Sequence, residues 1–148
     1  MNNELNIRSI GRLISILYRH SRVYFQRKLA PYGLGHGQIP LLMFIINNNG
    51  VSQHEINTYF QLDKGSTSTL ISNMEKNGFV RKVRDDADKR SYKLFVTGKT
   101  RELLPELKSV FGEWTNILTY NFSESQKEEA FALLNKMIEN SEHYIAKL

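Results

Sequence analysis

Lys64-Gly65-Ser66-Thr67-Ser68-Thr69 sets one cation and a run of small hydroxyl side chains behind Asp63. Serine and threonine on a helix can come close enough to the floor of a DNA major groove to hydrogen-bond base edges or touch thymine methyls. A helical wheel drawn over Lys64 to Asn77 puts Thr67, Leu70, Ile71 and Met74 on one face. Gly65, Ser68, Thr69, Ser72 and Lys76 fall on the other, with Ser66 beside them in the first turn. The apolar face anchors the helix and the polar face protrudes, while Lys64 and Lys76 are placed for phosphates. A second group follows at Arg84-Asp85-Asp86-Ala87-Asp88-Lys89-Arg90, whose composition suits a tight turn with a projecting cation. Arg90 is the expected tip, because a weakly hydrated guanidinium suits the negative potential of a narrow A·T-rich minor groove. Lys89 stands next to it. Asp86 or Asp88 is expected to brace that arginine by a charge-assisted hydrogen bond.

These groups need elements to hold them. Ser52-Gln53-His54-Glu55 has the pattern of a capping box and Asp63 is a second capping carboxylate, so two helices start about eleven residues apart. Gly78 then turns the chain into Phe79 to Arg84, and Ser91 to Val96 resumes after the charged turn. Helix, turn, helix and a two-stranded wing make a shape suited to a DNA groove. Upstream, Leu5 to about Ala30 reads as one long amphipathic helix through Ile10, Leu13, Ile14, Leu17, Tyr24 and Phe25. Arg8, Arg12, Arg19 and Arg22 form a stripe opposite that apolar face. The stripe can be a solvated face, an accessory site for phosphate or an anionic effector, or a membrane-surface contact. Pro31 to Gly37 breaks the helix, and Gln38 to Asn47 reads as a nearly all-apolar core helix.

After the wing, Thr97-Gly98 introduces another long helix carrying Leu103, Leu107, Val110, Trp114 and Leu118, with a kink expected at Pro105 or a start nearer Leu104. Ser123-Glu124-Ser125-Gln126 caps a last helix bearing Phe131, Leu134, Met137, Ile138 and Ile145. The terminal helices carry more apolar positions than one small winged domain can cover. A second copy is the natural cover, giving an isologous dimer with Ile10, Leu13, Leu17, Trp114, Leu118 and Ile138 at the interface.

The chain has 148 residues, enough for one domain with its own core, and no cysteine, which excludes thiol catalysis and Cys-based zinc sites. Twenty Lys and Arg against fifteen Asp and Glu give +5, a bias toward polyanionic partners. No apolar run approaches the roughly 18 residues that span a bilayer, and Met1 to Glu4 does not open a signal peptide, so a cytoplasmic protein without membrane contact is expected. His20, His36, His54 and His143 have no metal-ligand spacing, and no P-loop, nucleotide fingerprint or nucleophile elbow is present. No enzyme, cofactor or metal is expected. A winged helix can also serve as a protein-docking module, but such a face would more often expose aromatic or aliphatic anchors than Ser, Thr and Lys.

Val51 to Glu75 with Gly78-Phe79-Val80, then Arg84 to Arg90 and Val96-Thr97, resembles the winged helix-turn-helix of the MarR family, the multiple antibiotic resistance regulators. Tyr32 to Leu42 resembles that family's connection into its second helix. The resemblance implies a mainly α fold with a small β-wing, in one domain over residues 1–148. Residues 5–32 and 99–148 would form dimerisation helices and 36–97 the DNA-binding part. It implies a homodimeric repressor on a pseudopalindromic site in double-stranded DNA, with recognition helix 63–77 in the major groove and wing 84–93 in the minor groove. A small lipophilic or aromatic acid effector would bind between the two parts. Two positions depart from the family pattern: Thr69 stands where many members carry arginine, and Asp88-Lys89-Arg90 where Asp-Arg-Arg is common.

Overall fold

The computed structural model describes residues 8–148. Of the residues assigned above to the start of the first helix, 5–7 lie outside the described part, and Arg8 and Ser9 precede the helix. The first helix, α1 (Ile10–Leu29), starts at Ser9, whose hydroxyl accepts from the Arg12 N–H at 3.3 Å. A short 3-10 turn (Ala30–Tyr32) ends at Gly33 in the left-handed region, and α2 (Ile39–Asn47) follows. Ile39, Leu41, Leu42 and Ile45 of α2 are buried, as its nearly continuous apolar sequence requires.

Next come β1 (Val51–Ser52), α3 (Gln53–Phe60), α4 (Lys64–Lys76) and the hairpin strands β2 (Val80–Arg84) and β3 (Tyr92–Val96). The sheet is antiparallel in the order β1-β3-β2, with Val51 opposite Leu94 and Lys82 opposite Leu94 from the other side. The strand β1 is an addition to the expected two-stranded wing. It is too short to carry a sequence period, and Asn49 helps hold it by accepting from the Val96 N–H through Oδ1 at 2.9 Å. Phe79, Val80, Leu94 and Val96 from the hairpin meet Ile56, Ile71 and Met74 from the helices in one buried core. Gly78, at φ +78°, makes the turn between α4 and β2 that a side chain would strain.

Thr97 joins the sheet to α5 (Gly98–Leu118): its hydroxyl accepts from the Thr100 N–H at 3.3 Å and donates to the Gly78 carbonyl at 2.6 Å. The helix therefore begins at Gly98 rather than near Leu104, and runs through Pro105 without a break. Pro105 is on the exposed side, where the carbonyl it leaves unpaired can meet water, and buried Leu107 and Val110 hold the following turn. The last helix, α6 (Glu124–Ile145), starts from the anticipated capping box of Ser123 and Gln126. Two compact units are distinguished, Met1–Val110 and Phe111–Leu148.

Candidate nucleic-acid interface

Local chemistry positions the paired helices α3 and α4. The Ser52 hydroxyl accepts from the Glu55 N–H at 3.2 Å, and Glu55 Oε2 accepts from the Ser52 N–H at 2.8 Å. That backbone hydrogen bond, with a second from the Ser52 hydroxyl, holds the Glu55 carboxyl below its ordinary pKa. Gln61, at φ 52°, and Leu62 turn the chain to Asp63, which caps α4 through the Ser66 N–H at 2.8 Å and the Ser66 hydroxyl at 2.6 Å. The Ser66 hydroxyl and N–H lower the Asp63 pKa in turn. Gly65 leaves room for this cap, since a Cβ there would lie 3.3 Å from Asp63 Oδ1. The wheel drawn from the sequence matches the burial of α4: Thr67, Ile71 and Met74 are buried and Leu70 is half-buried. On the opposite side Lys64, Gly65, Ser66, Thr69 and Lys76 are exposed, and Ser68 and Ser72 are half-buried.

The wing turn is wired differently from the expected arrangement. Asp88 Oδ1 accepts from the backbone N–H of Arg90 at 3.0 Å, so it shapes the turn without holding the guanidinium. Asp86 is exposed and braces nothing among the described residues. Asp85 accepts from the Ala87 N–H at 3.0 Å and lies 3.8 Å from the Lys93 ammonium, so it too shapes the turn and does not hold Arg90. The reason is reach: a short carboxylate closes a ring with an N–H two residues ahead more readily than with the end of a long side chain. Elsewhere in the hairpin, Lys82 pairs with Glu75 at 3.6 Å and Arg81 lies over the Phe95 ring at 4.9 Å. Lys89 and Arg90 stay exposed at the tip, with no carboxylate in salt-bridge reach among the described residues.

A MarR family profile matches residues 32–91. The HTH-type transcriptional regulator BilQ of Clostridioides difficile (strain CD3) is 31% identical over 126 residues, which cover 85% of each chain. The chain belongs to the MarR family. A MarR transcriptional regulator from Methanosarcina mazei Go1 shares the fold with a TM-score of 0.88 at 38% identity, over 91% of this chain and 97% of that one. A MarR family regulator from Listeria monocytogenes, solved with a 26-mer DNA, gives a TM-score of 0.82 at 25% identity, over 90% and 89%. A MarR family member is a transcriptional regulator and not an enzyme, and the fold is the mainly helical one with a small wing.

Within this MarR fold, sequence reasoning overlooked Gln53. Its amide donates to Ser68 Oγ at 2.7 Å and to the Lys64 carbonyl at 3.4 Å, tying α3 to α4 across the turn. No local spacing signals a contact fifteen residues apart. Gln53, His54, Lys64, Asp85, Arg90 and Lys93 face a cleft of about 760 Å³ between α3 and the wing. Asn57 also lines it, and its Oδ1 is buried without a partner. Of the apolar positions expected at a dimer interface, Ile10, Leu13, Leu17, Leu118 and Ile138 are exposed, at 41–59%, and Trp114 is half-buried. Among the described residues no cluster of His, Cys, Asp and Glu could hold a metal, and no helix is long and apolar enough to cross a membrane.

Proposed function

We propose that this regulator is a homodimeric, effector-responsive repressor that binds a pseudopalindromic operator in the cytoplasm. Residues 63–77 enter the major groove and the wing, 84–93, enters the minor groove. Residues 36–97 form the reading head, and 5–32 with 99–148 the dimerisation part. The observation that carries the reading is the polar face of α4: a helix capped at Asp63 and cross-tied by Gln53 presents Gly65, Thr69 and Lys76 outward over a buried apolar side. Lys64, Lys76 and Lys89 then meet phosphates, and Ser66, Ser68, Thr69 and Ser72 meet base edges. The Thr69 hydroxyl donates to the Gly65 carbonyl at 3.1 Å, which leaves its methyl as the contact for a thymine methyl. Exposed Arg90 supplies the minor-groove guanidinium. A cleft of about 420 Å³ at Pro31, Tyr32, Phe79, Lys99, Glu102 and Leu103 sets apolar walls beside one carboxylate and one ammonium; Lys99, which donates to the Asn77 carbonyl at 2.7 Å, is the group there that would meet a small aromatic acid.

Footprinting on the promoter of the protein's own gene tests the reading. Two protected half-sites about one helical turn apart, roughly 34–36 Å centre to centre, are expected. Lys76→Ala should weaken the protection and make the salt dependence shallower by about 1 for each phosphate that goes unneutralised. Absence of protection, or protection indifferent to salt, would favour a protein-docking role.

A further inference from the structure

The charge of this protein is not where the proposed reading head is. Between residues 5 and 54 the sequence has no Asp or Glu, yet it holds Arg8, Arg12, Arg19, Arg22, Arg27 and Lys28. Those six cations exceed the net charge of the whole chain, +5, and the remaining residues come to −1, with 14 cations against 15 carboxylates. Residues 36–97 contribute only +2, with eight cations and six carboxylates. The positive potential that would draw this regulator to a polyanion is therefore concentrated on α1 and on Arg8 just ahead of it.

We propose that α1 carries a second polyanion-binding face, which holds a second DNA duplex while the reading heads hold the operator. Arg8, Arg12, Arg19 and Arg22 are all exposed, and none has a carboxylate within salt-bridge distance among the described residues. From Arg12 to Arg22 the stripe runs about 15 Å at 1.5 Å per residue. One DNA strand presents roughly four phosphates over that length. Every cation on the stripe is arginine, whose planar fork pairs with phosphate oxygens in bidentate fashion and is weakly hydrated. A lipid surface fits less well. A membrane-surface helix needs its apolar side and its cations to meet the bilayer together, and here Ile10, Leu13, Ile14 and Leu17 lie opposite the arginines. The operator is the competing occupant, and retention of protein on the beads separates it from a second duplex.

The inference is tested by sandwich capture. The duplex defined by footprinting is fixed to beads, saturated with the full chain, washed, and offered a labelled random-sequence duplex in solution. The wild type should retain the label, with capture falling steeply as salt rises. The triple variant Arg12→Gln, Arg19→Gln, Arg22→Gln should stay on the beads as tightly as the wild type and lose about tenfold or more in label, as expected for three charge-assisted pairings with phosphate. Protein retained on the beads reports operator binding by itself, so failure of that reading and failure of this one are distinguishable. A wild type that captures no second duplex, or a triple variant that captures as much, overturns the proposal. So does a triple variant that loses its hold on the fixed duplex while remaining folded by circular dichroism, because the stripe would then touch the operator. Flotation of the wild type with phosphatidylserine vesicles, without duplex capture, assigns the face to a membrane instead.

Discussion

The winged part and the terminal helices use their apolar residues to opposite ends. In the winged part Ile56, Ile71, Met74 and Phe79 are wholly buried, and even polar Thr67 is enclosed with its hydroxyl bonded to the carbonyl of Asp63. Along α1 and α6, by contrast, Ile10 is 59% exposed, Leu13 55% and Ile138 51%. The first region buries its apolar residues together with Leu29 of α1 and Leu107 and Val110 of α5. The second leaves faces whose burial would contribute roughly 25 cal/mol for each Å² removed from water, once a partner copy covers them. That contrast in exposure is the ground for the proposed dimer.

Four experiments would break or sharpen that contrast, and the largest effect belongs to the winged core. Phe79→Ala should lower stability by about 3–5 kcal/mol, because a fully buried ring is replaced by a cavity between α4 and the sheet. A melting curve close to the wild type would show that this core is looser than its burial implies. On the terminal helices, a protein stabilised by dimerisation should melt at a temperature that rises with its concentration. A hundredfold increase adds about 2.7 kcal/mol if association follows simple mass action. A melting temperature independent of concentration would dissolve the distinction between the two regions.

The third experiment concerns function more than folding. Arg90→Ala should weaken operator binding by roughly 1–3 kcal/mol, with Arg90→Lys recovering only part, since an ammonium is more strongly hydrated. Melting should not change, because Arg90 is exposed and its backbone, not its guanidinium, meets Asp88. Equal affinity of all three proteins, whatever the composition of the flanking DNA, would remove the wing from the minor groove.

The smallest effect is a pH dependence at the helix caps. The carboxyls of Glu55 and Asp63 sit below their ordinary values of 4.5 and 3.8. The unfolded chain therefore binds these protons more readily than the folded one. Their contribution to stability is complete above about pH 4.5 and is lost as pH falls through the lowered folded values. Denaturant titrations at successive pH values should show a fall on acidification that is reduced in Asp63→Asn. An identical fall in that variant would detach the cap from the acid response.

What the sequence made legible was local. The caps at Ser52, Asp63 and Ser123 appear as residues three apart, the distance over which a side chain reaches a free N–H. The buried side of α4 was readable because its period outweighs its weak apolar content. Pairings between distant positions were not readable: Gln53 to Ser68, Asn49 to Val96, and Val51 against Leu94 leave no mark in spacing. At Pro105 a general rule gave way to context, since the Thr97 cap and the buried turns of α5 outweigh one missing donor. In the wing the residue types were right for a tight turn, but three neighbouring aspartates offer several wirings, and spacing does not tell Asp85 and Asp88, which each accept from an N–H two residues ahead, from Asp86.

The central claim, a well-buried winged part on helices whose exposed faces a partner copy completes, is tested most directly by sedimentation of the protein with its footprinted duplex. Two chains per duplex are expected for the wild type, and free protein should sediment as a dimer. Paired charge substitutions, Leu17→Glu with Ile138→Glu, should give a monomer with a much weaker hold on that duplex while the winged part stays folded. A free wild-type monomer that binds the whole site with one chain would contradict the account.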